Sequence, residues 1–198
     1  GGHPSDNVPV ALAAGERGEA TGTRVLETVV LGYELYDRFR ALMPPTTTWD
    51  PSSPSGLTAA AMTGRLLGFD ERRQANALAL AAVRTTVPKI VRQGEMSAGK
   101  SLANALVAQS AVEAALMAEK GITGPLEALD HQFGLHPVFD PARGLERLWA
   151  PPGKPLSIMC TDMKDFPCFG TSQTVIASAI AMHGKLKGRL EQIETIEL

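Results

Sequence analysis

The sequence predicts a mainly α chain: an all-helical domain over residues 1–152, then the beginning of a smaller α/β domain over 153–198. Three observations predict it. Hydrophobic residues make up 44% of the chain but aromatic ones only 5%, so the core has to be built from Ala, Leu, Val and Ile, which favours close-packed helices over a sandwich or barrel. Between Val8 and Gly121 one helical pattern follows another, each broken by Gly or Pro. After Pro155 the pattern turns to strand, helix, strand.

Taken in order, Gly1 to Asn7 is a loop with turn and cap chemistry in Pro4, Ser5 and Asp6. Val8 to Glu16 is a short helix with Pro9 in its first turn and Gly15 and Gly18 at its end. Thr21 to Met43 is amphipathic: Val25, Val29, Gly32, Tyr33, Tyr36 and Phe39 share a face, Arg24, Glu27, Glu34 and Arg38 lie elsewhere, and Pro44-Pro45 stops it. A polar loop, TTTWDPSSPS, leads to an alanine-rich helix over Gly56 to Phe69 that ends at Gly68. Asp70 caps the next helix, to about Arg84, and Thr85 to Ser97 is irregular.

Gly94 to Gly121 is the longest of these stretches. Ala103, Ala105, Ala108, Ser110, Ala111, Ala114 and Ala115 let neighbours approach closely on nearly every side, so this helix is expected to be buried. Thr123-Gly124-Pro125 begins a short helix through about His131, and Phe133 to Pro155, rich in Gly and Pro, reads as a linker. Beyond it come a strand over Leu156 to Phe166, a helix over Thr171 to Met182 and a second strand over Ile193 to Leu198. The chain opens on GGHPSDN without an initiator methionine and closes in a strand pattern, so both ends are read as cuts through a larger protein.

Composition excludes several functions. A net charge of −2 with no Lys/Arg cluster argues against nucleic acid and anionic membranes as partners. No apolar run is read as long enough to span a bilayer, and no signal peptide is visible. Cys160 and Cys168 are too few for a disulfide scaffold and fit a reducing, cytoplasmic setting. Their spacing does not suit zinc or an iron–sulfur cluster, and no metal or cofactor is expected. G-x-G-x-x-G, P-loop and G-x-S-x-G motifs are missing. His131, His136 and His183 read as structural or exposed.

Four positions are candidates for chemistry. His3, in the tight loop GGHPSDN, can act as acid or base near neutral pH. Asp50 precedes Pro51, a combination that also serves as ordinary turn chemistry. Lys100 stands where a helix start already carries partial positive charge, which is unfavourable unless an anion joins them; the plain alternative is a lysine that snorkels to water. Lys164 precedes a Pro-containing turn, after which Thr171, Ser172 and Gln173 open a helix whose free N–H groups suit a carboxylate or phosphate.

In this order the motifs resemble the MmgE/PrpD family, which includes 2-methylcitrate dehydratase, cis-aconitate decarboxylase and iminodisuccinate epimerase. The matching stretches are GGHPSDN, WDPSS before a helix ending LLGFDE, GKSLANALVAQSAVEAALMAEKGITGPLEAL, and KDFPCFGTSQT. The resemblance runs in register along nearly the whole chain. It implies a large helical domain, a smaller α/β domain with the active site in the cleft between them, homodimers, and a metal-independent lyase acting on small di- and tricarboxylates. It implies catalytic roles for His3, Asp50, Lys100 and Lys164, and substrate binding by Asp6, Ser172 and Gln173. Asp50 stands where decarboxylase-like members have a second histidine and dehydratase-like members have Asp. The chain departs from the family in lacking an Asp-containing segment ahead of the HPS motif, and in carrying Ala103-Asn104-Ala105 after the central lysine.

The expected function is therefore a hydro-lyase acting on 2-methylcitrate or a similar hydroxy-tricarboxylate. Decarboxylase-like or epimerase-like activity on a related acid is the alternative within the family. A non-catalytic helical binding or assembly module is the alternative outside it.

Overall fold

Two side-chain caps set the register of the helical part. Thr21 accepts the Arg24 N–H at 3.3 Å and starts a helix at Gly22; Asp70 accepts the Arg73 N–H at 2.8 Å and starts another at Glu71. The structure, a computed structural model, describes residues 2–140, 142 and 144–195. It divides into two compact units, Gly1–Met159 and Cys160–Leu198.

The first unit holds α1 (Val8–Arg17), α2 (Gly22–Leu42), α3 (Ser53–Leu66), α4 (Glu71–Ala82) and α5 (Gly99–Glu119). Proline sits in the first turn of α1 and of α3, where the missing N–H breaks no helical bond. α3 is the centre: α1, α2, α4 and α5 all pack on it. Gly56 shows how close the approach is, because a Cβ there would lie 2.1 Å from the Thr85 hydroxyl.

Alanine makes the interior, as the composition requires. Ala59 and Ala60 of α3, Ala81 of α4 and Ala111 and Ala114 of α5 are each 0% exposed and meet in one cluster with Val10. Each buried methyl contributes only about 0.8 kcal/mol. The larger gain is the close helix–helix approach these small side chains permit, which adds many dispersion contacts. A second cluster joins Phe39 and Leu42 to Leu57, Ala79, Leu135, Phe139 and Leu148.

Several expectations are corrected. α5 is buried on one face rather than on nearly every side: Ala103, Val107, Ala111, Ala114, Ala115 and Ala118 are buried, while Leu102 and Leu106 are more than half exposed. At 21 residues it is also long and apolar enough to cross a membrane by length and composition, contrary to the reading that no run reaches that length. Its alanine face packs against α3 and α4 as a core helix does. Glu34 is buried, not solvated, and accepts the Ser157 N–H. The short helix expected from Thr123 is a series of turns. The stretch expected as a linker sends Leu135, Phe139 and Leu148 into the core, and Arg38 binds the Leu148 and Ala150 carbonyls at 2.8 and 2.6 Å.

The second unit contains α6 (Gln173–Leu186), entered through a 3-10 turn at Gly170–Ser172. The strand expected over Leu156 to Phe166 is not formed. A 3-10 turn occupies Ser157–Cys160, with Met159 N–H bonded to the Leu156 carbonyl at 2.8 Å. A strand needs a neighbour for its N–H and C=O groups, and no described segment supplies one, so these groups close locally. For the second expected strand, residues 193–195 carry no regular structure and 196–198 lie outside the described residues. The chain is thus mainly α, and the expected α/β start does not appear among the described residues.

Candidate functional site

The site grows from a stitch between two loops. The loop after α2 pairs with the segment after α4: Asp50 N–H bonds the Val87 carbonyl at 2.8 Å, Lys89 N–H bonds the Thr48 carbonyl at 2.6 Å, and Trp49 and Pro88 form an isolated antiparallel bridge. The stitched segment then makes a 3-10 turn over Lys89–Arg92, which delivers Arg92 to Asp50.

Asp50 is 0% exposed. Its Oδ1 accepts the Ser52 N–H at 2.9 Å and its Oδ2 accepts Arg92 Nε–H at 2.6 Å. Burial pushes its carboxyl upward, but the Arg92 and Ser52 hydrogen bonds and the Arg92 charge outweigh this and hold it below the usual aspartate range. Breaking such a pair by removing one partner typically costs about 3–5 kcal/mol, because the other charge stays buried.

From Arg92 the network continues. Its Nη2 donates to Asn104 Oδ1 at 3.4 Å, and Asn104 Nδ2 donates to Asp6 Oδ2. Asp6 belongs to the 3-10 turn Pro4–Asn7, which the Asp6 N–H closes on the His3 carbonyl at 3.1 Å. Asp6 is half-buried, and burial raises its carboxyl against the opposing pull of the His3 and Arg92 charges and the Asn104 bond. The His3 side chain is exposed.

Tyr36 of α2 joins the two loops. Its hydroxyl accepts the His3 N–H at 3.2 Å and donates to the Pro51 carbonyl at 2.9 Å. Burial pushes the phenol up to about 12, so it remains a neutral donor throughout the physiological range. Gly2 is needed beside it: a Cβ there would stand 1.8 Å from the Tyr36 hydroxyl oxygen.

Lys100 lies in the first turn of α5, half-buried, four residues before Asn104. That spacing puts the two on one stripe of the helix, a single turn apart. Among the described residues Lys100 has no ion pair.

The remaining expected residues belong to the second unit. Lys164 is exposed. Ser172 makes no side-chain cap bond at the start of α6. Gln173 clamps the turn ahead of it: its Oε1 accepts the Phe166 N–H at 3.0 Å, and its Nε2 donates to the Phe166 carbonyl and to Cys168 Sγ, both at 2.9 Å.

Of the expected residues, His3, Asp6 and Asp50 are therefore brought into one network, with Lys100 on the adjoining stripe. Sequence reasoning missed Arg92 and gave Asn104 and Tyr36 no role in the site. Asn104 carried a signal, being a polar residue one turn after Lys100 in a small-residue helix. Arg92 carried none, since only the Trp49–Pro88 pairing brings it to Asp50.

Two aspartates and an arginine, joined to the backbone of His3 beside the start of α5, make a polar, partly buried site in an all-helical domain. The chain belongs to the MmgE/PrpD family: the model of the MmgE/PrpD N-terminal domain matches residues 1–148. That family is a lyase-type one, of hydro-lyases and related enzymes.

Proposed function

We propose that the chain is part of a lyase that dehydrates 2-methylcitrate or a similar hydroxy-tricarboxylate by removing a proton alpha to a carboxylate. The observation that carries the proposal is the convergence of His3, Asp6 and the Asp50–Arg92 pair beside the α5 stripe that holds Lys100. Proton removal builds negative charge on the substrate carboxylate. A lysine at a helix start, where backbone N–H groups also point outward, stabilises that charge, and such help is often the largest catalytic term. A proton acceptor and a proton donor are both at hand in the aspartates and His3. The reaction as proposed uses no metal. For Lys164 and Ser172 the proposal is carboxylate binding at the turn before α6, with Gln173 holding that turn in shape. Homodimers and a cytoplasmic setting complete the reading.

Asp50 favours dehydration over the decarboxylase-like alternative, because decarboxylase-like members of the family carry histidine at that position. The test is an assay of the protein against a panel of hydroxy-acids, following absorbance of the new C=C bond. Alkene formation from a hydroxy-tricarboxylate supports the proposal. Release of CO₂ without water loss moves the assignment to the decarboxylase, and inertness toward every acid, with no thermal shift on adding them, favours a non-catalytic module.

A further inference from the structure

The two aspartates of the network are placed very differently. Both oxygens of Asp50 are engaged, by Ser52 N–H and by Arg92, and the residue is fully enclosed. Asp6 is half-buried and gives only Oδ2 to Asn104. Its Oδ1 accepts no hydrogen bond among the described residues. A group that takes a proton from a substrate needs a reachable lone pair. Asp6 has one, and Asp50 does not.

We infer that Asp6 is the proton-accepting carboxylate of this site, and that Arg92 and Asn104 are positioning residues that hold it, with Asp50 serving as the fixed anchor for Arg92. This rests on the dehydratase reading. In the step, the substrate C–H proton passes to Asp6 Oδ1 and the C–H electron pair becomes the new C=C bond. The hydroxyl leaves as water with a proton from the His3 imidazolium, and solvent then resets both groups. The titratable and charged groups facing Asp6 are His3 on its own turn, Tyr36 from α2, and Arg92 with Asp50 behind it; α5 contributes the neutral Asn104. The upward pull of burial on Asp6 agrees with a role as base.

The test has a substrate-free arm and a kinetic arm. In the first, carboxyl-¹³C aspartate NMR follows the titration of the protein without ligand. Asn104→Leu removes the bond that holds the ionised form of Asp6, so the Asp6 midpoint is expected to move to higher pH. An unmoved midpoint overturns the arrangement. In the second arm, Asn104→Leu is expected to lower kcat on the order of a hundredfold, the scale of a misplaced catalytic group. Activity requires ionised Asp6, so the acidic limb of the kcat profile is expected to move to higher pH with the NMR midpoint. A midpoint that moves while the limb stays fixed overturns the role given to Asp6.

Arg92→Gln strands a buried carboxylate and endangers the fold, so the paired Asp50→Asn/Arg92→Gln variant carries that part of the test. It is expected to keep measurable turnover, with Arg92→Lys closer to wild type. Complete loss in the folded pair, equal to that of Asp6→Asn, would make Asp50 the base instead. A wild-type protein inert toward all hydroxy-acids, with the NMR shift intact, overturns the dehydratase reading and supports the arrangement of the network.

Discussion

α5 and α6 are both alanine-rich helices that follow an irregular, lysine-bearing stretch, yet α5 buries six residues and α6 buries none of its own. The difference does not lie in their composition. α5 meets α3 and α4, whose alanines are spaced to receive it. α6 has 14 residues, a length at which a helix in water is marginal by its own propensity. Small residues permit close approach, and only a matching surface turns that permission into a core.

The comparison can be broken most forcefully at Lys100. Lys100→Ala is expected to lower turnover of the proposed substrate about a hundredfold or more, with the melting temperature nearly unchanged. Steady-state kinetics beside a thermal melt checks both halves, and near-normal activity would remove Lys100 from the reaction. Next in size is packing. Ala111→Leu puts three extra carbons into a site that is 0% exposed and is expected to destabilise by about 1–3 kcal/mol. Ala179→Leu in α6, at an exposed position, is expected to stay within about 0.5 kcal/mol. Denaturant unfolding of the two variants would show whether the helices differ as described.

A third effect is local. Gln173→Ala removes all three hydrogen bonds of the Phe166–Cys168 clamp, and hydrogen exchange at the Phe166 amide is expected to speed up, with little change in global stability.

The smallest effect is a pH dependence of opposite sign at the two aspartates. Asp50 titrates below its ordinary value of about 3.9, so its stabilisation is present above that value and is lost as pH falls through the lowered one. Asp6 titrates above it, so the native state holds that proton more tightly and stability declines as pH rises from about 3.9 through the raised value. Asp6→Asn is expected to abolish that decline, read as a melting temperature that no longer falls across the window. A decline that persists in Asp6→Asn would place its origin at another group.

The helical framework was legible because its punctuation is local. Asp70, Pro9 and the Pro44-Pro45 stop act within a turn or two of where they stand, whereas Pro54, read as loop, stands in the first turn of α3, which begins at Ser53 rather than at the expected Gly56. The strand over Leu156 to Phe166 failed because a strand is a property of a pair, and its alternation says nothing of a partner. Glu34, placed off the apolar face of its helix, is buried for a related reason: the Ser157 N–H reaches it across 123 positions, beside Arg38 one turn along α2. The candidate site divides in the same way. His3, Asp50 and Lys100 stand in motifs with a shape of their own. Arg92 and Tyr36 join them only through pairings across 42 and 33 positions, which no local pattern announces.

Tyr36 deserves its place in that list for what one hydroxyl does. It is at once the acceptor for the loop that begins the chain and the donor to the loop that carries Asp50. Each loop is held by its own bond to this hydroxyl, so both are tied to the same point of α2. The orientation of α2, which holds the ring between them, becomes a setting that governs both ends of the site together. A substitution that moves the Tyr36 ring will therefore be felt both at His3 and at Pro51.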